Sequence, residues 1–293
     1  VSATTSARRG SDSRLLTIFS CPKSFQDPHI ATIQRNAIRS WLLLDLQPKV
    51  ILFGDDGGVA EAAAELGVAH VAEVARNRYG TPLLNDVFEK AEQLAETPLL
   101  CYANADIILM SDFARAVRLV YPKKKRFMLG GRPWDVPIRE PMAFEDGWED
   151  ALRRLKTSGS GLRTDWACDY FLFPSGFWKA LPPFAIGRAY FDNALMDRCR
   201  RQGGSLIDAT SAITAIHQSH PYPAHLSGTM YVLNPEAKEN YMLAGGPGRL
   251  SAWWHASHKL TPEGLRFDWR GYLRFWDPRA LYQRPWHRMA PRF

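Results

Sequence analysis

Between Arg14 and Leu109 short apolar runs alternate with amphipathic stretches, and this rhythm constrains the fold more than any other feature of the chain. Arg14–Ser20, Val50–Phe53, Val68–Val71, Leu99–Tyr102 and Ile107–Leu109 are strand-length runs rich in β-formers, most of them stopped by Pro, Gly, Asp or Asn. Between them, Asp27-Pro28 reads as the N-cap and first residue of a helix with Ile30, Ile33, Ala37 and Trp41 on one face. Val59–Leu66 reads as a second helix closed by Gly67, and Thr81-Pro82 as the start of a third that runs to about Ala95. Strands alternating with helices of this length imply right-handed βαβ units. The expected fold is therefore α/β, an open, mostly parallel sheet flanked by helices.

Beyond Tyr121 the rhythm loosens. Strands are expected at Arg126–Gly130, Tyr170–Phe173, Ser205–Asp208 and Ala212–His217, and helices at Trp148–Leu155 and Tyr190–Arg201. Trp134–Phe144 reads as irregular and Ser158–Gly161 as a flexible break. From Pro221 onward there is little periodicity but much Trp, Tyr, Arg and Pro. This divides the chain into a Ser/Thr/Ala/Arg-rich lead-in (1–13) expected to be disordered, one α/β domain (14–232), and an irregular, basic, aromatic-rich C-terminal extension (233–293).

Composition narrows the class. With 293 residues, 46% of them hydrophobic, the chain can bury an ordinary globular core. No apolar run approaches a membrane span, since Trp41–Leu44 stops at Asp45, and the first residues lack the apolar stretch of a secretory signal. Cys21, Cys101, Cys168 and Cys199 form no C-x-x-C pair, so the expected setting is reducing and cytoplasmic. Of the net charge of +7, six units lie in the last 45 residues, where nine Lys/Arg stand against three acids. A near-neutral remainder argues against a nucleic-acid binder.

Ligands of open α/β sheets bind at the carboxyl ends of the strands. Three polar clusters fall there: Cys21-Pro22-Lys23, Asp55-Asp56 and Asn104-Ala105-Asp106. An acid of the second cluster can accept hydrogen bonds from a base or ribose, or the pair can open an Asx-type turn into Gly57-Gly58. Asn104 and Asp106, one residue apart, would project to one side of an extended segment, and oxygen ligands so placed suit Mg²⁺ or Mn²⁺ on a diphosphate. A helix cap or turn is the other reading of that cluster.

An ordered set of motifs carries a resemblance. Arg78-Tyr79-Gly80-Thr81-Pro82-Leu83-Leu84 is followed by Tyr102–Leu109, Asp169–Pro174, Ile186-Gly187-Arg188, Asp192-Asn193 and His217-Gln218-Ser219-His220. Together, over about residues 14 to 225, they resemble the nucleotide-diphospho-sugar transferase superfamily of GT-A glycosyltransferases. The resemblance implies a Rossmann-like GT-A domain over 14–232 that moves a sugar from a nucleoside diphosphate donor to an acceptor hydroxyl on a glycan or glycolipid, as in polysaccharide biosynthesis. It also implies a metal motif of the Asp-x-Asp kind at Asn104-Ala105-Asp106, with Asn in place of the first acid and Asp106 as the principal carboxylate. His217 looks like the histidine that completes such a metal site, with His220 as second candidate. Asp192 looks like the acid that takes the acceptor's proton, and helix N-terminal amides would favour its ionised form. Asp169 stands beside it as a second catalytic candidate. The candidate donor-binding set is Pro22, Lys23, Asp55, Asp56, Asn104 and Arg188.

Each candidate has a structural alternative: a helix cap for Asp192, a turn for Asp169, a satisfied core histidine for His217, a surface ion pair for Arg188. Glycosyl transfer leaves negative charge on the departing diphosphate, which a divalent cation stabilises, while a carboxylate accepts the hydroxyl proton. No G-x-x-x-x-G-K-[ST], G-x-G-x-x-G or G-x-S-x-G segment is present, and neither His217-x-x-His220 nor His255-x-x-His258 has a cysteine partner at zinc-finger spacing. Two rival functions remain: a sugar-phosphate nucleotidyltransferase, although Cys21-Pro22-Lys23-Ser24 lacks that class's glycines, and a catalytically inactive sugar-binding module. The extension carries Trp253, Trp254, Trp269, Trp276 and Trp286 among arginines, which suits sugar stacking, peripheral membrane contact, or packing onto the core.

Overall fold

The computed structural model describes residues 14–157, 161–221 and 229–277. The lead-in 1–13, Ser158–Ser160 of the expected break, and the end of the extension with Trp286 lie outside them. Thirteen strands are present among the described residues: β1 (Leu16–Ser20), β2 (Lys49–Phe53), β3 (Ala69–Val71), β4 (Leu99–Ala103), β5 (Ile107–Ile108), β6 (Phe127–Gly130), β7 (Trp134–Val136), β8 (Gly161–Leu162), β9 (Tyr170–Pro174), β10 (Ser205–Asp208), β11 (Ile216–Gln218), β12 (His258–Thr261) and β13 (Gly264–Phe267). Nine form the main sheet in the order β13-β12-β10-β6-β9-β4-β1-β2-β3, and four form a small sheet in the order β5-β11-β7-β8. The main sheet is mostly parallel, as expected. β1 runs parallel to β2 and β4, β2 to β3, and β10 to β6 and β12, while β9 is antiparallel to β4 and β6, and β13 to β12.

Alternate residues of the central strands feed two separate cores. Leu16 and Ile18, Val50 and Leu52, Leu99 and Cys101, and Tyr170 and Leu172 face one side. There they meet Ile38 and Trp41 of α1 (Pro28–Leu42), Ala62 of α2 (Val59–Leu66), and Phe113 and Val117 of α4 (Ser111–Val120). Phe19, Ile51, Phe53, Tyr102, Phe171 and Phe173 face the other, against Val87 and Phe88 of α3 (Leu84–Ala95) and Leu195 of α6 (Phe191–Arg201). Because helices cover both faces, the strands are continuously apolar rather than alternating. Phe88 stacks on Phe173 at 5.6 Å and on Tyr102 at 5.8 Å, giving the second core an aromatic centre.

Asp27 caps α1 by accepting the Ile30 amide at 2.9 Å, as the sequence suggests. Three details differ from expectation. α3 begins at Leu84 without a side-chain cap, because Pro82 bridges to Arg76 and the Thr81 hydroxyl accepts from Arg188 instead. Trp134–Val136, read as irregular, is strand β7, and the strand expected from Ala212 begins only at Ile216. Three-residue strands are too short to show a period and are made by pairing with their neighbours.

The segment after residue 233 contains more than aromatic packing. It holds α8 (Pro235–Ala244), preceded by the single turn α7 (Met230–Leu233), and then β12 and β13, which widen the main sheet, and α9 (Trp269–Trp276). Trp253 is fully buried in the second core and donates its indole N–H to the Ala167 carbonyl at 2.8 Å. Gly130 makes room for it: a Cβ there would lie 2.8 Å from the indole and 2.6 Å from the Tyr170 carbonyl. No helix among the described residues is long and apolar enough to cross a membrane.

Removing that indole leaves a large void and an unpaired carbonyl. Trp253→Ala is expected to cost about 3–5 kcal/mol, lowering the melting temperature by on the order of 10 °C. A thermal melt within a degree or two of the parent protein would show that residues after 250 do not contribute to the main core.

Candidate active site

The carboxyl ends of β1, β2 and β4 open onto one cleft of about 1180 Å³. It is lined there by Pro22 and Lys23, Asp56, and Asn104 and Asp106, and opposite them by Arg163, Thr164, Trp166–Asp169, Ile186–Asn193 and His217. Of the candidates named from sequence, Pro22, Lys23, Asp56, Asn104, Asp106, Asp169, Arg188, Asp192 and His217 all line this cleft, and Asp55 is exposed beside it.

The small sheet assembles a buried polar cluster beside the cleft. Asp106 precedes β5, and β11 pairs β5 on one side and β7 on the other, setting His217 opposite Ile107 and opposite Asp135. Asp106 is buried, with Oδ2 3.2 Å from Nε2 of His220 and 3.8 Å from Nε2 of His217. Its Oδ1 has no hydrogen-bond partner among the described residues. The far nitrogen of each imidazole is occupied: Nδ1 of His217 lies 2.6 Å from Oδ1 of Asp135, and Nδ1 of His220 lies 3.0 Å from the Pro221 carbonyl. Both acceptors require a proton on Nδ1, so a neutral ring turns the lone pair of Nε2 toward Asp106. Two lone pairs facing a carboxylate repel unless a proton or cation lies among them. Lys23 Nζ, 3.0 Å from Nε2 of His220, contributes one positive charge at the edge.

The electrostatics follow from this crowding. Burial alone would raise Asp106, but His217, His220 and Lys23 outweigh it and hold the carboxyl well below the usual range. Burial opposes a charge on His217, yet Asp106 and the hydrogen bond to Asp135 hold its pKa above the usual value. Lys23 is lowered, mainly by burial, with Asp106 opposing and Arg188 assisting.

Asn104 does not pair with Asp106. The two lie in a tight turn, closed by the Ile107 amide on the Asn104 carbonyl at 3.0 Å, rather than in the extended segment expected. The Asn104 side chain donates to Oδ1 of Asp169 at 2.9 Å, and Arg163 Nη1 donates to Oδ2 at 3.0 Å. Arg163 Nε also lies 3.5 Å from Asp135, linking Asp169 to the histidines through charge. Asp192 is in the first turn of α6 and accepts the Asn193 amide at 2.9 Å. The expectation that helix amides keep it ionised is overturned: burial, with the negative charge of Asp169, pushes its pKa up to about 7. Two amides at a helix terminus do not replace the water that this carboxyl loses.

Arg188 donates from Nε to Glu236 at 2.6 Å and from Nη2 to Thr81 at 2.8 Å, and Glu236 also accepts Asn77 Nδ2 at 2.8 Å. Asp55 and Asp56 both receive Arg76 Nη2, at 2.5 and 2.9 Å. Asp135, Arg163, Arg76 and Glu236 were not singled out in the sequence. Asp135 and Arg163 lie in or beside strands of two or three residues, and Glu236 comes from the segment read as a separate extension.

No protein-family model and no curated protein matches the sequence. Among solved structures, the chain is similar to a mannosyltransferase from Pyrobaculum calidifontis in complex with GDP-Man and Mn²⁺, at 12% identity, covering 72% of this chain and 59% of that one, with TM-score 0.42. It is similar to GalNAc-T7 with UDP, GalNAc and Mn²⁺ at 15% identity, covering 79% and 48%, with TM-score 0.46. A third is glucosyl-3-phosphoglycerate synthase from Mycobacterium tuberculosis in complex with Mn²⁺, UDP and phosphoglyceric acid, at 15% identity, covering 80% of each chain, with TM-score 0.49. The chain thus spans about half to three-fifths of the length of the first two. At TM-scores below 0.5 the question of function rests on the site itself.

Two outcomes are expected from the site's charges. Asp192 in the folded protein keeps a proton that the unfolded chain, at the ordinary value of 3.8, releases, so stability falls as pH rises from about 4 to about 7. Asp192→Asn removes that loss, and its melting temperature should exceed that of the parent by a few degrees at pH 8 but not at pH 4; parallel curves would refute the raised pKa. Asn104→Asp replaces a donor to Asp169 by a second negative charge. It should cost about 1–3 kcal/mol at pH 8 and less at pH 5, read by denaturant unfolding; an unchanged or stabilised protein would contradict the geometry.

Proposed function

We propose that this chain is a GT-A type glycosyltransferase that moves a sugar from a nucleoside diphosphate donor to an acceptor hydroxyl with the help of a divalent cation. The observation that carries this reading is the convergence of Asp106, His217 and His220, whose ligand atoms lie within 4.8 Å of one another. Asp106, just after β4, and His217 of β11 line a cleft that also holds a lysine and a carboxyl raised to about 7. The buried Oδ1 of Asp106, which has no hydrogen-bond partner among the described residues, and the two imidazoles beside it fit a cation. Asp106, His217 and His220 would hold it. Two imidazoles favour Mn²⁺ over Mg²⁺. When bound, the ion neutralises charge on the diphosphate leaving group.

The remaining steps belong to the chain's own groups. Lys23 faces the diphosphate from the end of β1, and Arg188, held in place by Glu236 and Thr81, adds positive charge across the cleft. Pro22, Asp55 and Asp56, with Arg76 between the acids, form the wall for base and ribose. As the acceptor oxygen bonds to the anomeric carbon and the bond to the diphosphate oxygen breaks, Asp192 takes the hydroxyl proton. A carboxyl with pKa near 7 suits that task at neutral pH, since it is partly ionised yet basic. Asp169, held in place by the Arg163 and Asn104 hydrogen bonds, orients the acceptor or sugar hydroxyls beside it. Asn104 is not among the converging donors, so an amide there leaves the cation site intact and favours an enzyme over an inactive module. A glycan or glycolipid acceptor, a cytoplasmic setting and peripheral contact with a membrane complete this reading.

The test has two arms. A nucleoside diphosphate with Mn²⁺ at about a hundred times Kd should stabilise the protein by about 2.7 kcal/mol, and Asp106→Ala should lose this response while folding normally. Asp192→Asn should keep the response but lower the transfer rate at least about a hundredfold, as general-base loss does. Full nucleotide and Mn²⁺ response in Asp106→Ala would sink the cation site, and near-parent transfer by Asp192→Asn would sink the base.

A further inference from the structure

At the β13 edge of the main sheet, across from the cleft strands, lies a surface of different chemistry. α9 is fixed against the core by Gly271 and Phe275, both buried. A Cβ on Gly271 would lie 2.1 Å from the Ala256 carbonyl, so helix and turn are in direct backbone contact. The guanidinium of the buried Arg200 sits 4.9 Å from the ring centres of both Tyr272 and Phe275. Asp268 caps the helix through the Arg270 and Gly271 amides and pairs with Lys259. The helix is therefore held in one orientation, and its outer side is not free to turn inward.

That outer side is apolar. Trp269 is 58% exposed, Leu273 56% and Trp276 50%, and their spacing of four and three residues places them in one stripe. Phe267 on β13, 57% exposed, adjoins it with its ring 5.5 Å from Tyr272. Exposed Arg266, Arg270 and Arg274 flank the stripe. The chain then continues through residues 278–293, which contain Arg279, Arg284, Arg288 and Arg292 and no acid.

We propose that α9 and Phe267 form a docking surface for an anionic lipid membrane, the aromatic and leucine side chains entering the interface and the arginines meeting headgroup phosphates. Charge decides between occupants. Residues 278–293 folded back over the stripe would set four arginines against three, and a second copy meeting it face to face would oppose like charges in the same way. A nucleic acid would match the arginines but leave Leu273 and Phe267 in water. Only an anionic bilayer satisfies both parts, since basic residues gain at its surface and tryptophan, phenylalanine and leucine gain just beneath it. This inference rests on the peripheral membrane contact named in the proposed function and gives it a surface, but it does not depend on the proposed reaction, and the vesicle test fails or succeeds independently of transfer activity.

The experiment is co-sedimentation of the full chain with phosphatidylcholine vesicles with and without phosphatidylglycerol. Binding is expected only with phosphatidylglycerol, weakening as salt is raised. Leu273→Glu/Trp276→Glu and Arg266→Glu/Arg270→Glu should each weaken it at least about tenfold. All four side chains are exposed, so unchanged melting temperatures should accompany the loss. No sedimentation with phosphatidylglycerol vesicles overturns the proposal, as does parent-like binding by both variants. A dimer in lipid-free solution that Leu273→Glu/Trp276→Glu dissolves, without vesicle binding, assigns the surface to a second copy instead.

Discussion

Strands β1, β2, β4 and β9 are out of contact with water on both faces, and this double burial organises the rest of the molecule. Each face is filled by side chains that alternate along the strands, with Trp41 and Phe113 central to one core and Phe19, Phe88 and Phe173 to the other. Polar groups therefore collect where the strands end and helix cover stops. Lys23, Asp56, Asn104 and Asp106 are all such residues, and a parallel arrangement brings three of these ends to one side. The cleft follows from the way the sheet is buried.

At its floor, charge compensation takes over from hydrophobic packing. A carboxylate as buried as that of Asp106 needs positive partners, and two imidazoles and an ammonium surround it. Asp135 and the Pro221 carbonyl orient those rings, and Arg163 ties Asp135 to Asp169. The same low-dielectric setting acts oppositely on Asp192. Burial is not offset there by a cation in direct contact among the described residues, and Asp169 is nearby, so its pKa rises to about 7. Two acids in one cleft are thus driven apart, one held below the usual carboxylate range and one raised above it.

The C-terminal segment joins both levels. Trp253 completes the second core, Glu236 fixes Arg188 in the cleft, and β12 and β13 carry the sheet outward to α9. Its aromatic residues divide accordingly. Trp253 is buried and structural, while Trp269 and Trp276 stay exposed on a helix whose inner side is already occupied.

The sequence by itself determined the α/β class, the sites of the main strands, the Asp27 cap on α1, and the three strand-end clusters. These depend on period, cap chemistry and local chain stops, all of which are written within a few neighbouring residues. Of the residues it named at the site, all but Asp55 and His220 line one cleft, because strand ends are recognisable locally and the parallel sheet gathers them. Only the tertiary structure decided that Asn104 serves Asp169 rather than Asp106, that His220 stands as near Asp106 as His217 does, and that Asp135, Arg163 and Glu236 belong to the site. Those pairings join residues far apart in the chain through strands of two or three residues. The raised pKa of Asp192 was likewise beyond a sequence reading, since a helix terminus is a local feature whereas loss of water is set by everything packed around the group.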